Sequence, residues 1–159
     1  LLSTIAADFI AKPLVERWRP SSDPLIKYAV DVVDDYRPGK YGFFSAHAAN
    51  TFSLALYFSL WVKNRLFSFA MISWSLLNCY SRIYLGAHYP SDVVVGLLVG
   101  AVIAVLFYRL SRKLFFKISS NFNYVSTQYS ATGYSVTDID MVLTVIGFLY
   151  ILIIIIPLL

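Results

Sequence analysis

Long apolar stretches alternate along this chain with short polar ones, and the charged side chains gather where the apolar stretches end. Residues 66 to 81 carry no charge, and neither do residues 93 to 108. Between them lies Ser81-Arg82-Ile83-Tyr84-Leu85-Gly86-Ala87-His88-Tyr89-Pro90-Ser91-Asp92, which holds an arginine, a histidine and a carboxylate. Another largely apolar stretch runs from Ala48 to Val62, and a last uncharged run covers Met141 to Leu159, 19 residues, close to the ~20 that span a bilayer. The pattern predicts helices over 48–62, 66 to about 87, 92–108 and 141–159, with Ser45 as N-cap of the first. Lys63-Asn64-Arg65 makes one tight basic connection, and Arg109, Arg112, Lys113 and Lys117 mark the far end of the third helix.

The front of the chain reads differently. Residues 1 to 11 look like the last part of a helix carrying Asp8, too short to span, so further spans are expected upstream. Polar groups then cluster from Lys12 to Pro20. Residues 21 to 44 read as a polar connection in which Leu25, Tyr28, Ala29, Val32 and Val33 recur at helical spacing, as in a short helix lying in the membrane interface. Residues 118 to 140, rich in Ser, Thr, Asn and Tyr, read as a polar cytoplasmic loop between a core of residues 1–117 and the additional helix at 141–159. Gly96, Gly100 and Ala104 form a small-residue stripe, read as internal helix packing in preference to a dimer seam.

Composition turns these elements into a class. Hydrophobic residues make up 58% of the 159 and charged ones only 14%. That excludes an ordinary soluble domain and predicts an all-α, polytopic transmembrane helix bundle. The net charge of +4 is scattered among apolar spans, which favours the lipid bilayer and an anionic, phosphorylated partner over nucleic acid. A single cysteine, Cys79, excludes an internal disulfide or a cysteine metal cage. The basic connections at 63–65 and 109–117 fall at the same ends of their hairpins, and the positive-inside rule assigns them to the cytoplasm. Residues 12–47 and 82–92 then share the opposite face, so that Lys12, Arg19, His47, Arg82, His88 and Asp92 can converge there.

Two imidazoles, a carboxylate and several cations are what attack on a phosphate needs: positive charge for the non-bridging oxygens, a nucleophile, and a proton donor for the leaving oxygen. His88 and Asp92 stand four apart, the spacing that brings two side chains together on one helical face. Three blocks carry a resemblance. Lys12, six residues, Arg19-Pro20; then Phe44-Ser45-Ala46-His47; then Ser81-Arg82, five residues, His88, three residues, Asp92.

In this order and spacing the chain resembles the type 2 phosphatidic acid phosphatase family, membrane lipid phosphatases that share a site with vanadium haloperoxidases. Phe44 stands where the family has proline, and Ala46 where it has glycine. The resemblance implies that Lys12, Arg19, Ser45, the Ala46 backbone N–H and Arg82 hold the phosphate, that His88 is the nucleophile which becomes a phosphohistidine, that Asp92 orients it, and that His47 is the general acid. No metal and no cofactor enter this scheme. The implied activity is hydrolysis of a lipid phosphate or diphosphate, with undecaprenyl diphosphate, phosphatidic acid, phosphatidylglycerol phosphate and lipid A as candidates. A phosphotransferase using the same site, or a transporter that binds an anion without reacting, are the alternatives. The expected place is the bacterial inner (cytoplasmic) membrane with the site facing outward, on the periplasmic side. Arg17, Lys27, Arg37 and Lys40 fall outside every block and read as a solvated face, and Asp34 and Asp35 have no histidine near them that would suggest a metal site.

Overall fold

The structure, a computed structural model, describes residues 2–30, 32, 37–118 and 133–156. Among these residues the regular structure is all helical, with an isolated β-bridge between Trp18 and Tyr41 and no strand. The chain opens with a continuous helical segment made of α1 (Leu2–Ile5), a π-helical stretch (Ala6–Ala11) and α2 (Lys12–Val15), and Glu16 ends it in the left-handed region at φ 49°. The four main helices are α3 (Ala46–Val62), α4 (Arg65–Tyr84), α5 (Pro90–Ile118) and α6 (Val136–Ile155). Ser45 caps α3, its Oγ accepting the Ala48 N–H, and Asn64 caps α4 by accepting from Phe67 N–H at 3.0 Å. Each cap satisfies one of the four orphan donors of a helix start, so the turn at Lys63-Asn64 is as short as two helices allow.

The α3 helix is the centre of the bundle, packed on α5 along one side and on α4 along another, with α1 against its first half and α6 leaning on α4. The seam with α5 is backbone on backbone. A Cβ on Gly100 would stand 2.6 Å from the Ala49 carbonyl oxygen, which no side chain tolerates. Ala104 is buried just beyond. The small-residue stripe is therefore an internal contact of the bundle, as its spacing predicts.

Two residues round the helix from that stripe, Val94, Leu98, Val102, Leu106, Leu110 and Leu114 are all exposed. Six large apolar side chains in one open row would be a liability in water and are at home against acyl chains. Two helices, over Pro90–Phe115 and Val136–Ile153, are long and apolar enough to cross a membrane, with only 22% and 6% of their most apolar stretches buried inside the chain. The protein is an integral membrane protein built as a helix bundle.

Three element boundaries differ from the expectation. The segment around Leu25 and Tyr28 forms a run of turns between residues 20 and 29 instead of an interfacial helix; both side chains are exposed, and a piece this short has no packing to stabilise it. Val33, the end of that expected helix, lies outside the described residues. The α5 helix reaches Ile118, ten residues past the predicted end. The last helix starts at Val136, so residues 136–140 are not loop: Ile139 is buried in a cluster with Val62 and Phe67, and Asp138 lies in the first turn, where a carboxylate suits the helix dipole. Of the rest of the expected loop, residues 119–132 lie outside the described residues and 133–135 lead into the helix.

Candidate active site

The segment after Glu16 is held straight by pairing with residues 40–42. Arg19 N–H donates to the Lys40 carbonyl at 2.9 Å, Gly42 N–H donates to the Arg17 carbonyl at 2.9 Å, and Trp18 bridges Tyr41. In extended chain alternate side chains point to opposite sides. Trp18 turns one way, with its ring 5.7 Å from that of Tyr41, while Arg17 and Arg19 both turn toward the loop of residues 85–89 and the start of α5. This alternation brings two guanidinium groups to the site from a segment that is neither helix nor sheet.

Arg19 is tied down by carbonyls: Nε donates to Tyr41 O at 3.0 Å and Nη1 to Ala87 O at 3.2 Å. The same Nη1 lies 3.4 Å from His88 Nε2. A guanidinium only donates, so Nε2 presents its lone pair to Arg19 and the ring proton belongs on Nδ1. Nδ1 has no hydrogen-bond partner of ordinary geometry; the nearest carboxylate oxygen, Asp92 Oδ2, is 3.9 Å away. Burial, with Arg19 beside it, pushes the His88 imidazole down to about 3, against a smaller opposing influence of the Gly42 backbone. The ring is thus neutral at pH 7 and carries a lone pair on the pocket side. Gly42 has to be glycine to let this happen: a Cβ there would meet Arg19 Cγ at 2.9 Å.

Six of the eight residues singled out in the sequence, Lys12, Arg19, Ala46, His47, Arg82 and His88, line one cavity of about 170 Å³, together with Thr4, Asp8, Pro38, Asn50 and Ala87. Lys12 reaches it because the π-helical stretch and α2 carry the first helix up to the mouth of the bundle, where Lys12 pairs with Asp8. The first turn of α3, with Ala46 and His47, contributes its positive end. The other two residues, Ser45 and Asp92, are fully buried behind the wall, with Ser45 N–H donating to the Asp92 carbonyl at 3.1 Å, so the starts of α3 and α5 are bonded to each other.

Asp92 is not held as expected. Its Oδ2 accepts the Tyr89 N–H at 3.1 Å, closing back on the residue that begins its own helix, and its Oδ1 accepts from Arg17 Nη1 at 2.7 Å. Arg17 also donates to Ser91 Oγ at 2.9 Å and lies over the Tyr89 ring, 4.4 Å from its centre. The reading of Arg17 as a solvated face is therefore corrected: it is an ion-pair partner of a buried carboxylate. The one signal in the sequence was its position two residues before Arg19, which in extended chain puts both on the same side. Arg37, placed on the same face, donates to the Ser21 carbonyl at 2.6 Å. Among the described residues no three of His, Cys, Asp or Glu are grouped so as to hold a metal ion.

Fold and site together define a helical membrane protein with a small cation-lined pocket at one end of its bundle, where two imidazoles meet. The chain belongs to the PAP2 superfamily, whose family model matches residues 1–116. Among curated proteins it is 40% identical over 111 residues to a lipid A 4'-phosphatase of Bacteroides thetaiotaomicron, covering 69% of this chain and 49% of that one. It is 38% identical over 114 residues to a lipid A 4'-phosphatase of Porphyromonas gingivalis, covering 69% and 48%. A shorter match, 38% over 61 residues, joins it to the undecaprenyl-diphosphatase BcrC of Bacillus subtilis, over 38% of this chain and 32% of that one. The chain spans about half the length of the lipid A phosphatases it matches. No solved structure matches it significantly.

Proposed function

We propose that this chain carries the catalytic core of a membrane phosphatase that removes a phosphate from a lipid, with a lipid A type glycolipid as the first substrate to test. The observation that carries the proposal is the neutral, lone-pair-bearing Nε2 of His88 set beside Arg19 in a pocket that Lys12 and Arg82 also line. In this reading Lys12, Arg19, Arg82 and the Ala46 N–H hold the phosphoryl oxygens, while Ser45, expected among them, is buried behind the wall and caps the helix start that presents Ala46. His88 Nε2 attacks phosphorus and the bond to the lipid oxygen breaks, with His47 giving that oxygen its proton. Water then attacks the phosphohistidine, giving its proton to His47, and phosphate leaves with both imidazoles restored. Three cations stand where a magnesium ion would otherwise meet the charge of the transferring group, so the reaction is metal-independent.

A lipid substrate is supported by what adjoins the pocket. Asn50 lines both the polar pocket and an apolar cavity of about 550 Å³, and Leu54 and Trp74 line both that cavity and a second one of about 550 Å³. Apolar space for hydrocarbon thus lies one side chain away from the polar pocket. The basic ends at 63–65 and 109–117 favour a site facing outward from the inner membrane. The experiment is phosphate release by the purified protein in detergent from lipid A, undecaprenyl diphosphate, phosphatidic acid and phosphatidylglycerol phosphate, with and without EDTA. Release from lipid A that EDTA leaves untouched is expected. Activity abolished by EDTA and restored by magnesium overturns the metal-independent mechanism, and no release from any lipid overturns the function.

A further inference from the structure

We infer that Arg17 is a positioning residue for His88, acting through Asp92: it fixes the rotation of the buried carboxylate so that the second oxygen faces the imidazole. The inference rests on the proposed role of His88. Asp92 is fully buried, and its two oxygens are divided between partners on opposite sides. Arg17 Nη1 takes Oδ1 at 2.7 Å, leaving Oδ2 to the Tyr89 N–H at 3.1 Å and toward His88 Nδ1 at 3.9 Å. A carboxylate held from the Tyr89 side alone can turn about its Cβ–Cγ bond; a second donor on the other oxygen stops it.

Arg17 is itself held at several points. Its carbonyl accepts from Gly42 N–H at 2.9 Å, its guanidinium donates to Ser91 Oγ at 2.9 Å and lies over the Tyr89 ring, and the Tyr89 hydroxyl donates to Asp23 Oδ2 at 3.2 Å. Asp23, Tyr89, Arg17 and Asp92 thus form a rigid bracket behind the histidine, outside the pocket that holds the substrate. Arg17 does not line that pocket. Its effect on turnover can only pass through the groups it holds.

The test uses the whole chain in detergent, with nitrophenyl phosphate and lipid A as substrates. With Arg17→Gln, kcat falls by about 10- to 100-fold, the loss seen when a partner that orients a functional imidazole is removed, while KM is unchanged. Arg17→Lys recovers most of it. Arg17→Gln combined with Asp92→Asn is no slower than Asp92→Asn alone, because the arginine has nothing left to position. Losses that multiply in the double variant overturn the inference. A second readout does not depend on turnover: the chain has only two histidines, so ¹⁵N spectra of labelled His88 can be assigned with a His47→Gln reference. Wild type shows the Nδ1–H tautomer that Arg19 holds, and Arg17→Gln keeps that tautomer with its Nδ1 resonance shifted, because the Asp92 carboxylate facing it has turned. An unchanged spectrum in Arg17→Gln overturns the inference even if the protein releases phosphate from no lipid, an outcome that would sink the proposed function separately. If Arg17→Gln does not fold, Arg17→Lys and Asp92→Asn supply the same spectral comparison.

Discussion

Gly96 of α5 lies against the backbone of Ser45, so near that a Cβ at residue 96 would stand 2.6 Å from the Ser45 carbonyl oxygen and 3.1 Å from the Ala48 Cβ. Ser45 precedes Ala46 and His47 on the pocket, and Gly96 is one turn past Asp92. The starts of α3 and α5, which flank the pocket, therefore meet at a contact that has room for hydrogen only. Gly96→Ala forces the starts of α3 and α5 apart, since a backbone carbonyl cannot swing aside as a flexible side chain does. Expected are a loss of about 1–3 kcal/mol in stability, the usual cost of overpacking, and a fall in kcat larger than the same substitution causes at Gly147, where a Cβ meets nothing. Thermal unfolding in detergent and phosphate release check both.

His88→Ala removes the proposed nucleophile and leaves Lys12, Arg19 and Arg82 in place, so turnover is abolished while inorganic phosphate or vanadate still binds. Turnover near the wild-type level would exclude His88 from the chemistry.

The buried state of His88 also makes stability depend on pH. Its folded value of about 3 lies below the ordinary 6.5, so below pH 6.5 the unfolded chain takes up a proton that the folded one refuses. The contribution is complete above 6.5 and declines as pH falls toward 3, by up to ~1.4 kcal/mol per pH unit. Between pH 7 and 4 the wild-type unfolding temperature drops more than that of His88→Asn, which has no group to titrate at this position. Parallel curves would mean that the ring is not shielded as described.

If His47 protonates the leaving oxygen, its importance scales with how basic that oxygen is. His47→Ala costs much of the rate on a lipid alkoxide and far less on a nitrophenolate, which leaves without a proton. Comparing kcat/KM on the two substrates decides it; equal losses would remove His47 from the acid role.

Sidedness is open to labelling. With Cys79→Ser removing the sole native thiol, a cysteine at the exposed Leu25 reacts with an impermeant reagent in intact cells, whereas one at the exposed Lys63 is protected until the membrane is opened. The reverse pattern would put the pocket in the cytoplasm.

The three motif blocks, the main helices, the Ser45 cap and the Gly96 seam were all legible in the sequence, because each depends on spacing within a short stretch. The Arg17–Asp92 pair was not, because its members lie 75 residues apart and only the Trp18–Tyr41 bridge turns Arg17 toward α5. Gly42 was hidden for the same reason: what requires glycine there is Arg19 arriving from another segment. At the ends of α5 and α6 the polar residues misled, since Arg109 to Lys117 continue the helix and Asp138 and Asp140 belong to a helix start. Charge marks where a helix meets the headgroups, and the backbone hydrogen bonds carry on past it.

The bond between Ser45 N–H and the Asp92 carbonyl also bears on how the chain matures. Lys12, Arg19 and His47 are synthesised well before His88 and Asp92, which arrive with α5. Until α5 docks on α3, the nascent protein carries the pocket's first cations and one imidazole without the second. The pocket is therefore complete only once the glycine seam between these two helices has closed.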